Sequence, residues 1–168
     1  MSENKLLHTV TTLYTRLVSI ETLLQSPLLL IMRLYWGWQF FNTGKGKLMH
    51  LDKTTEFFAT LNLPAPYLNA MMAGSVECIG GLLLLLGLGS RLVTIPLTFT
   101  MIVAYLTAHR EELMGVFSNP DGFTEAAPFL FMLTAVIVLA FGPGIFSVDA
   151  LIKKYVFNNT NSESGSKA

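Results

Sequence analysis

The stretch YLNAMMAGSVECIGGLLLLLGL, residues 67–88, decides the fold. It is long enough to cross the roughly 20-residue hydrocarbon core as a helix. Its one charged residue, Glu77, comes ten residues after Tyr67 and eleven before Leu88. A carboxylate at that depth cannot snorkel to either surface. Left alone it would cost several kcal/mol, so Glu77 is expected to be protonated, hydrated or paired. Ala73, Glu77 and Gly81 follow one another at four-residue steps. That spacing puts the carboxyl on a small-residue stripe where a second helix can approach closely.

Working outward, three more spans are expected. The first runs from about Leu23 or Pro27 to Gly44, the third from Arg91 to His109, and the fourth from Glu125 to Phe146. Gly87-Leu88-Gly89-Ser90 reads as the turn between the second and third, and Gly142-Pro143-Gly144 as the break after the fourth. Pro96 is tolerable inside a membrane helix, and Pro128 suits a first turn. Ahead of the spans, Leu6, Val10, Leu13, Leu17, Ile20 and Leu24 draw one apolar stripe, the mark of an amphipathic helix over residues 1–26. Between the first two spans, Thr54 to Leu61 is expected to form a short helix ending at Asn62-Leu63-Pro64. The predicted fold is an all-α, four-transmembrane-helix bundle over 27–152 with an N-terminal amphipathic helix. Residues 153–168 form a polar tail expected to be disordered.

Composition agrees with a lipid solvent. Hydrophobic residues make up 52% and charged residues 13% of the chain, against about 25% charged in soluble domains. Mean hydropathy is +0.53. Eleven basic and eleven acidic residues cancel, so there is no basic field for nucleic acid. The first twenty-odd residues lack a compact apolar run with a cleavage site, so the N-terminus is expected to be retained. Lys5, Arg16, Arg91, Lys153, Lys154 and Lys167 fall on the side of the termini, and Lys45, Lys47, Lys53 and Arg110 on the other. The excess favours both termini on the cytoplasmic side of an inner membrane.

Arg33 is the expected partner of Glu77, since it is the only other charge well inside a span and the first two helices run antiparallel. Gly37, four residues on, opens the same face. Such a pair is either a clamp that fixes helix register or the polar core of a binding site. A second cluster is expected near the outer helix ends, where Trp36, Gln39 and Lys47 could meet Tyr105 and His109. These would form an amphipathic cleft suited to a quinone head group, or an ordinary interfacial belt. His8, His50 and His109 lie outside the spans or at an end, which argues against a haem between two histidines. No metal-ligand spacing, phosphate loop, dinucleotide fingerprint or nucleophile elbow appears. Cys78 is the single cysteine. It excludes an internal disulfide or thiol pair and reads as a small packing residue.

The pattern resembles the DoxX family of small membrane proteins. The matching residues are Arg33-x-x-x-Gly37, Gly44-x-x-Lys47-Leu48, and Phe57 to Leu63 with Pro64. They continue through Ala73-Gly74-x-x-Glu77-x-x-Gly80-Gly81-x-Leu83-Leu84-Leu85-x-Gly87-Leu88-x-x-Arg91. The resemblance covers about Leu28 to Phe146. It implies four transmembrane helices with Arg33, Lys47 and Glu77 as the polar core. Family members resemble quinone-reducing thiosulfate oxidoreductase subunits or parts of redox-stress membrane complexes. Having only Cys78, this chain departs from cysteine-bearing relatives, which speaks against thiol–disulfide catalysis.

The expected function is therefore a redox-associated inner-membrane protein, such as a quinone-linked oxidoreductase subunit, that binds a quinone or similar small apolar ligand. Completing electron transfer would need a redox partner protein or bound cofactor. Two alternatives stand beside it, a non-enzymatic membrane scaffold or assembly factor and a small-solute or proton transporter, the latter needing a homo-oligomer.

Overall fold

The computed structural model describes the backbone of residues 2–155 and side chains from residue 24 to 155. The described residues contain helices and turns and no strand. In chain order the helices are α1 (Ser2–Met49), α2 (Leu51–Thr60), α3 (Pro66–Leu86), α4 (Ser90–Thr107), α5 (Arg110–Met114), α6 (Pro120–Glu125) and α7 (Pro128–Phe141). A last helical segment covers 148–155.

The α1–α3 pair is antiparallel and built on glycine. A Cβ on Gly37 would lie 2.8 Å from the Leu85 backbone nitrogen, one on Gly44 would collide with the backbone of Glu77 and Cys78, and one on Gly81 with that of Phe41. With no side chain at these points the two backbones touch, as small-residue seams allow in membrane bundles. On the other side of α3 the chain reverses through Gly87 and Gly89, both left-handed at φ 72° and 58°. The Gly87 N–H donates to Leu84 and that of Leu88 to Leu83, a turn that closes the orphan carbonyls of α3. Helix α4 then packs on α7. Leu97 and Met101 join Ala135 and Val138, together with Leu29, Phe40 and Leu84, in one core. Phe131 of α7 receives Phe40 and Trp36 edge to face at 4.6 and 5.0 Å.

The outer surface is apolar too. Ile79, Leu92 and Phe99 are 61%, 75% and 64% exposed, and α1 and α7 turn Ile31, Leu34, Leu130 and Val136 outward in the same way. A water-facing helix would set polar residues there. Helices α3 and α4 are long and apolar enough to cross a membrane, and α7 is a shorter apolar helix. The protein is a membrane protein, all-helical over the described residues.

Several boundaries differ from the sequence expectation. The N-terminal segment and the first span are one continuous helix, because Pro27 removes only one intrahelical N–H and does not stop α1. The apolar stripe expected over residues 1–26 falls almost wholly on side chains outside the described residues, as does the tail beyond Tyr155, while Lys153 to Tyr155, expected at the start of a disordered tail, are helical. Helix α7 is shorter than the 125–146 expected. Ala126 is extended at its start, and Gly142, at φ 82°, ends it.

Asp149 fastens the C-terminal segment to the α3–α4 turn. Its carboxylate accepts from the backbone N–H of Gly89 at 2.7 Å and of Ser90 at 3.1 Å, while its own N–H donates to Gly87 O at 3.0 Å. It thereby caps α4 from a distant part of the chain. Asp149→Ala is expected to lower stability by about 1–2 kcal/mol, the usual cost of a lost N-cap, read as a lower unfolding midpoint in detergent.

Candidate functional site

Glu77 is buried, at 2% exposure, and its partner is Lys47 rather than Arg33. Lys47 Nζ donates to Glu77 Oε1. The sequence had placed Lys47 beyond the first span, but α1 continues to Met49, so Lys47 stands in its last turn beside Gly74 of α3. The lysine is partly exposed. A flexible stem lets the ammonium stay near the surface while it neutralises the deeper carboxylate. Oε2 of Glu77 is buried without a hydrogen-bond partner.

Arg33 lies elsewhere. Its Nη1 donates to Pro143 O at 2.6 Å and Nη2 to Phe146 O at 2.8 Å, and its guanidinium lies against Gly87. The reason is the helix register. Gly37 faces Gly81 and Leu85, and Gly44 faces Cys78, so Arg33 is level with Gly87. That is ten residues past Glu77, about 15 Å along the axis. Depth counted from an entry near Leu24 misses this because α1 starts far earlier. Buried to 1% exposure, the guanidinium closes two carbonyls of the chain after α7.

The expected cleft of Trp36, Gln39, Lys47, Tyr105 and His109 is not formed as one site. Trp36 packs on Phe131, and Gln39 reaches only the Tyr35 hydroxyl, at 3.5 Å. Tyr105, buried in α4, donates to Phe123 O at 2.8 Å and stacks on the Phe123 ring at 4.9 Å. Its ring meets that of His109 at 6.2 Å, and His109 pairs with Glu112 at 3.4 Å. The backbone N–H of Glu112, and after it His109, hold that carboxyl below the usual range. Tyr105 and His109 therefore tie α4 to the α5–α6 connection.

What Lys47 and Glu77 do border is a cavity of about 250 Å³ between α2, α3 and α4. Its walls include Phe58, Met72, Val76, Phe99 and Val103, with Asn69, Thr100 and Thr107 as the other polar groups. The α4 wall lay outside the sequence reading. The one signal for it was Pro96, which frees a carbonyl and shapes the helix there. The arrangement is an apolar slot with one charged pair at its edge, a form suited to a small apolar ligand with a polar head.

No solved structure matches the chain. Among relatives, an uncharacterized membrane protein of Mycobacterium tuberculosis is 34% identical, over 76% of this chain and 83% of its own. An uncharacterized protein of Haemophilus influenzae is 30% identical, over 75% and 83%. A Bacillus subtilis protein, CatD, which carries a provisional oxidoreductase name, is 28% identical, over 74% and 87%. The DoxX family profile matches residues 28–110, which span Arg33, the glycine seam of α1 and α3, the Lys47–Glu77 pair and all of α4. On the strength of that match and of relatives aligned over most of their length, the chain belongs to the DoxX family.

Proposed function

We propose that this protein binds a quinone, or a small apolar molecule with a quinone-like polar head, in the cavity between α2, α3 and α4, and serves a redox reaction in the inner membrane. The observation that carries the reading is the buried Glu77 carboxylate, paired with Lys47 at the edge of a mostly apolar cavity of about 250 Å³. A slot of that size takes a single ring and leaves a chain to extend into lipid. Lys47 has two N–H donors beyond the one given to Glu77, enough to hold a ligand carbonyl. The carboxylate beside it can take up or release a proton as the head group changes oxidation state. The provisional oxidoreductase name of the Bacillus subtilis relative points the same way. Arg33, Trp36, Gln39, Tyr105 and His109 act in this reading by shaping the bundle.

The same reading has the chain crossing the membrane four times, by the second half of α1, α3, α4 and α7, with both termini cytoplasmic. A redox partner would supply the two electrons that reduce the quinone, or accept those its quinol gives up.

Purified protein in detergent is expected to bind decyl-ubiquinone or a menaquinone analogue, followed by quenching of tryptophan fluorescence. Glu77→Gln is expected to bind at least about tenfold more weakly, the effect of losing roughly 1.4 kcal/mol of ligand interaction. Absence of quinone binding by the wild-type protein would refute the proposal.

A further inference from the structure

At the opposite end of the bundle, where α3 ends and α4 begins, an open cleft of about 620 Å³ lies between Gln25 and Ser26 of α1, Arg91 and Leu92 of α4, and Asp149 and Lys153 of the C-terminal segment. Its floor is the turn Gly142-Pro143-Gly144. Both glycines are left-handed, at φ 82° and 78°. A Cβ on Gly142 would lie 3.4 Å from the Arg91 guanidinium, and one on Gly144 3.4 Å from Ser26, so the floor runs within van der Waals reach of both walls. Beneath the floor, Arg33 holds Pro143 O and so fixes the turn.

The charges of the cleft do not cancel. Its one carboxylate among the described residues, Asp149, has both oxygens engaged by the N–H groups of Gly89 and Ser90. Its two cations among the described residues, Arg91 and Lys153, are exposed, and the one side-chain hydrogen bond Arg91 makes among those residues is a long contact, 3.4 Å, to Ala140 O. Leu92, Phe141 and Ile145 line the same cleft and are all exposed. An anion seated between the cations would thus have its own apolar part beside a lipid-facing rim. Basic clefts at helix ends hold anionic head groups on these terms.

We infer that this cleft binds the head group of an anionic phospholipid, the phosphate between Arg91 and Lys153 and the acyl chains along Leu92 and Ile145. The site is separate from the cavity at Glu77 and does not depend on what that cavity holds.

The test uses the full chain in a neutral detergent, adding phosphatidylglycerol, phosphatidylcholine or inorganic phosphate. Lipid retention is read by native mass spectrometry and stability by thermal unfolding. Phosphatidylglycerol is expected to stay bound and to raise the unfolding midpoint, whereas phosphatidylcholine at the same concentration does neither. The double variant R91Q/K153Q is expected to retain phosphatidylglycerol roughly tenfold less or weaker still, since each basic residue near an anionic head group contributes severalfold. The single variant R91K should keep most of the effect, which controls for folding. Equal retention of the two lipids, or phosphatidylglycerol retention unchanged in the double variant, would overturn the inference. Stabilisation by inorganic phosphate matching that by phosphatidylglycerol would also overturn it, in favour of a free-anion site.

Discussion

Arg33→Ala is expected to lower the stability of the protein by on the order of 3–5 kcal/mol, the scale for breaking a buried charged contact. The guanidinium is buried and gives one N–H group each to Pro143 O and Phe146 O. Those carbonyls follow α7, more than a hundred residues later in the chain, and among the described residues nothing else bonds them. Alanine would leave both unsatisfied and open a hole beside Gly87. Arg33→Lys should recover only part of the loss, because a single ammonium cannot reproduce the fork that spans two carbonyls. Thermal unfolding in detergent, followed by tryptophan fluorescence, reads both. An Arg33→Ala midpoint equal to wild type would remove Arg33 as the tie between α1 and the end of α7.

A second arm separates this arrangement from an Arg33–Glu77 pair. The two residues sit about 15 Å apart along the bundle, with no shared partner. The stability losses of Arg33→Ala and Glu77→Gln should therefore add to within about 0.5 kcal/mol. Lys47→Met and Glu77→Gln should not add, because each removes the same ion pair.

The contrast shows what the sequence could reveal and what it could not. Glu77 announces itself from one dimension, since a carboxylate at the centre of a 22-residue apolar run must find a partner wherever the helix lies. Its small-residue stripe is equally plain, and so are the turn at Gly87 to Gly89 and the stop at Gly142. The partner's identity is a question of register between two helices, and counting depth from a guessed entry point gets it wrong by several turns. The glycines mark the seam but not its register. Gly37 and Gly44 are seven residues apart on α1, and Gly74 and Gly81 seven apart on α3. Matching the two pairs in an antiparallel sense would set Lys47 level with Met71, whereas in the structure Gly44 meets Cys78 and Gly74 meets Lys47. The cavity wall on α4 depends on how a third helix leans, and no spacing in Pro96 to Val103 encodes that lean. The Asp149 cap is a contact across sixty residues, from a stretch beyond Gly142-Pro143-Gly144 whose sequence names no partner.

That glycine seam carries the other large expected effect. Gly44→Leu is expected to cost about 3 kcal/mol or more, because a Cβ at this position meets the α3 backbone at Glu77 and Cys78. A flexible side chain could move aside, but a helix backbone cannot, so α1 and α3 would have to separate. Lys47 sits one turn further along α1, and the separation would draw it from Glu77, so quinone binding should fall together with stability. Gly46 provides the control within the same turn, since a Cβ there has nothing within 4 Å. Gly46→Leu should leave the cavity intact and hold stability constant or raise it by up to about 1 kcal/mol through helix propensity. Unfolding midpoints of the two variants in one detergent make the comparison direct. If Gly44→Leu melts with Gly46→Leu, the two helices do not meet backbone to backbone, and the register that pairs Lys47 with Glu77 is wrong.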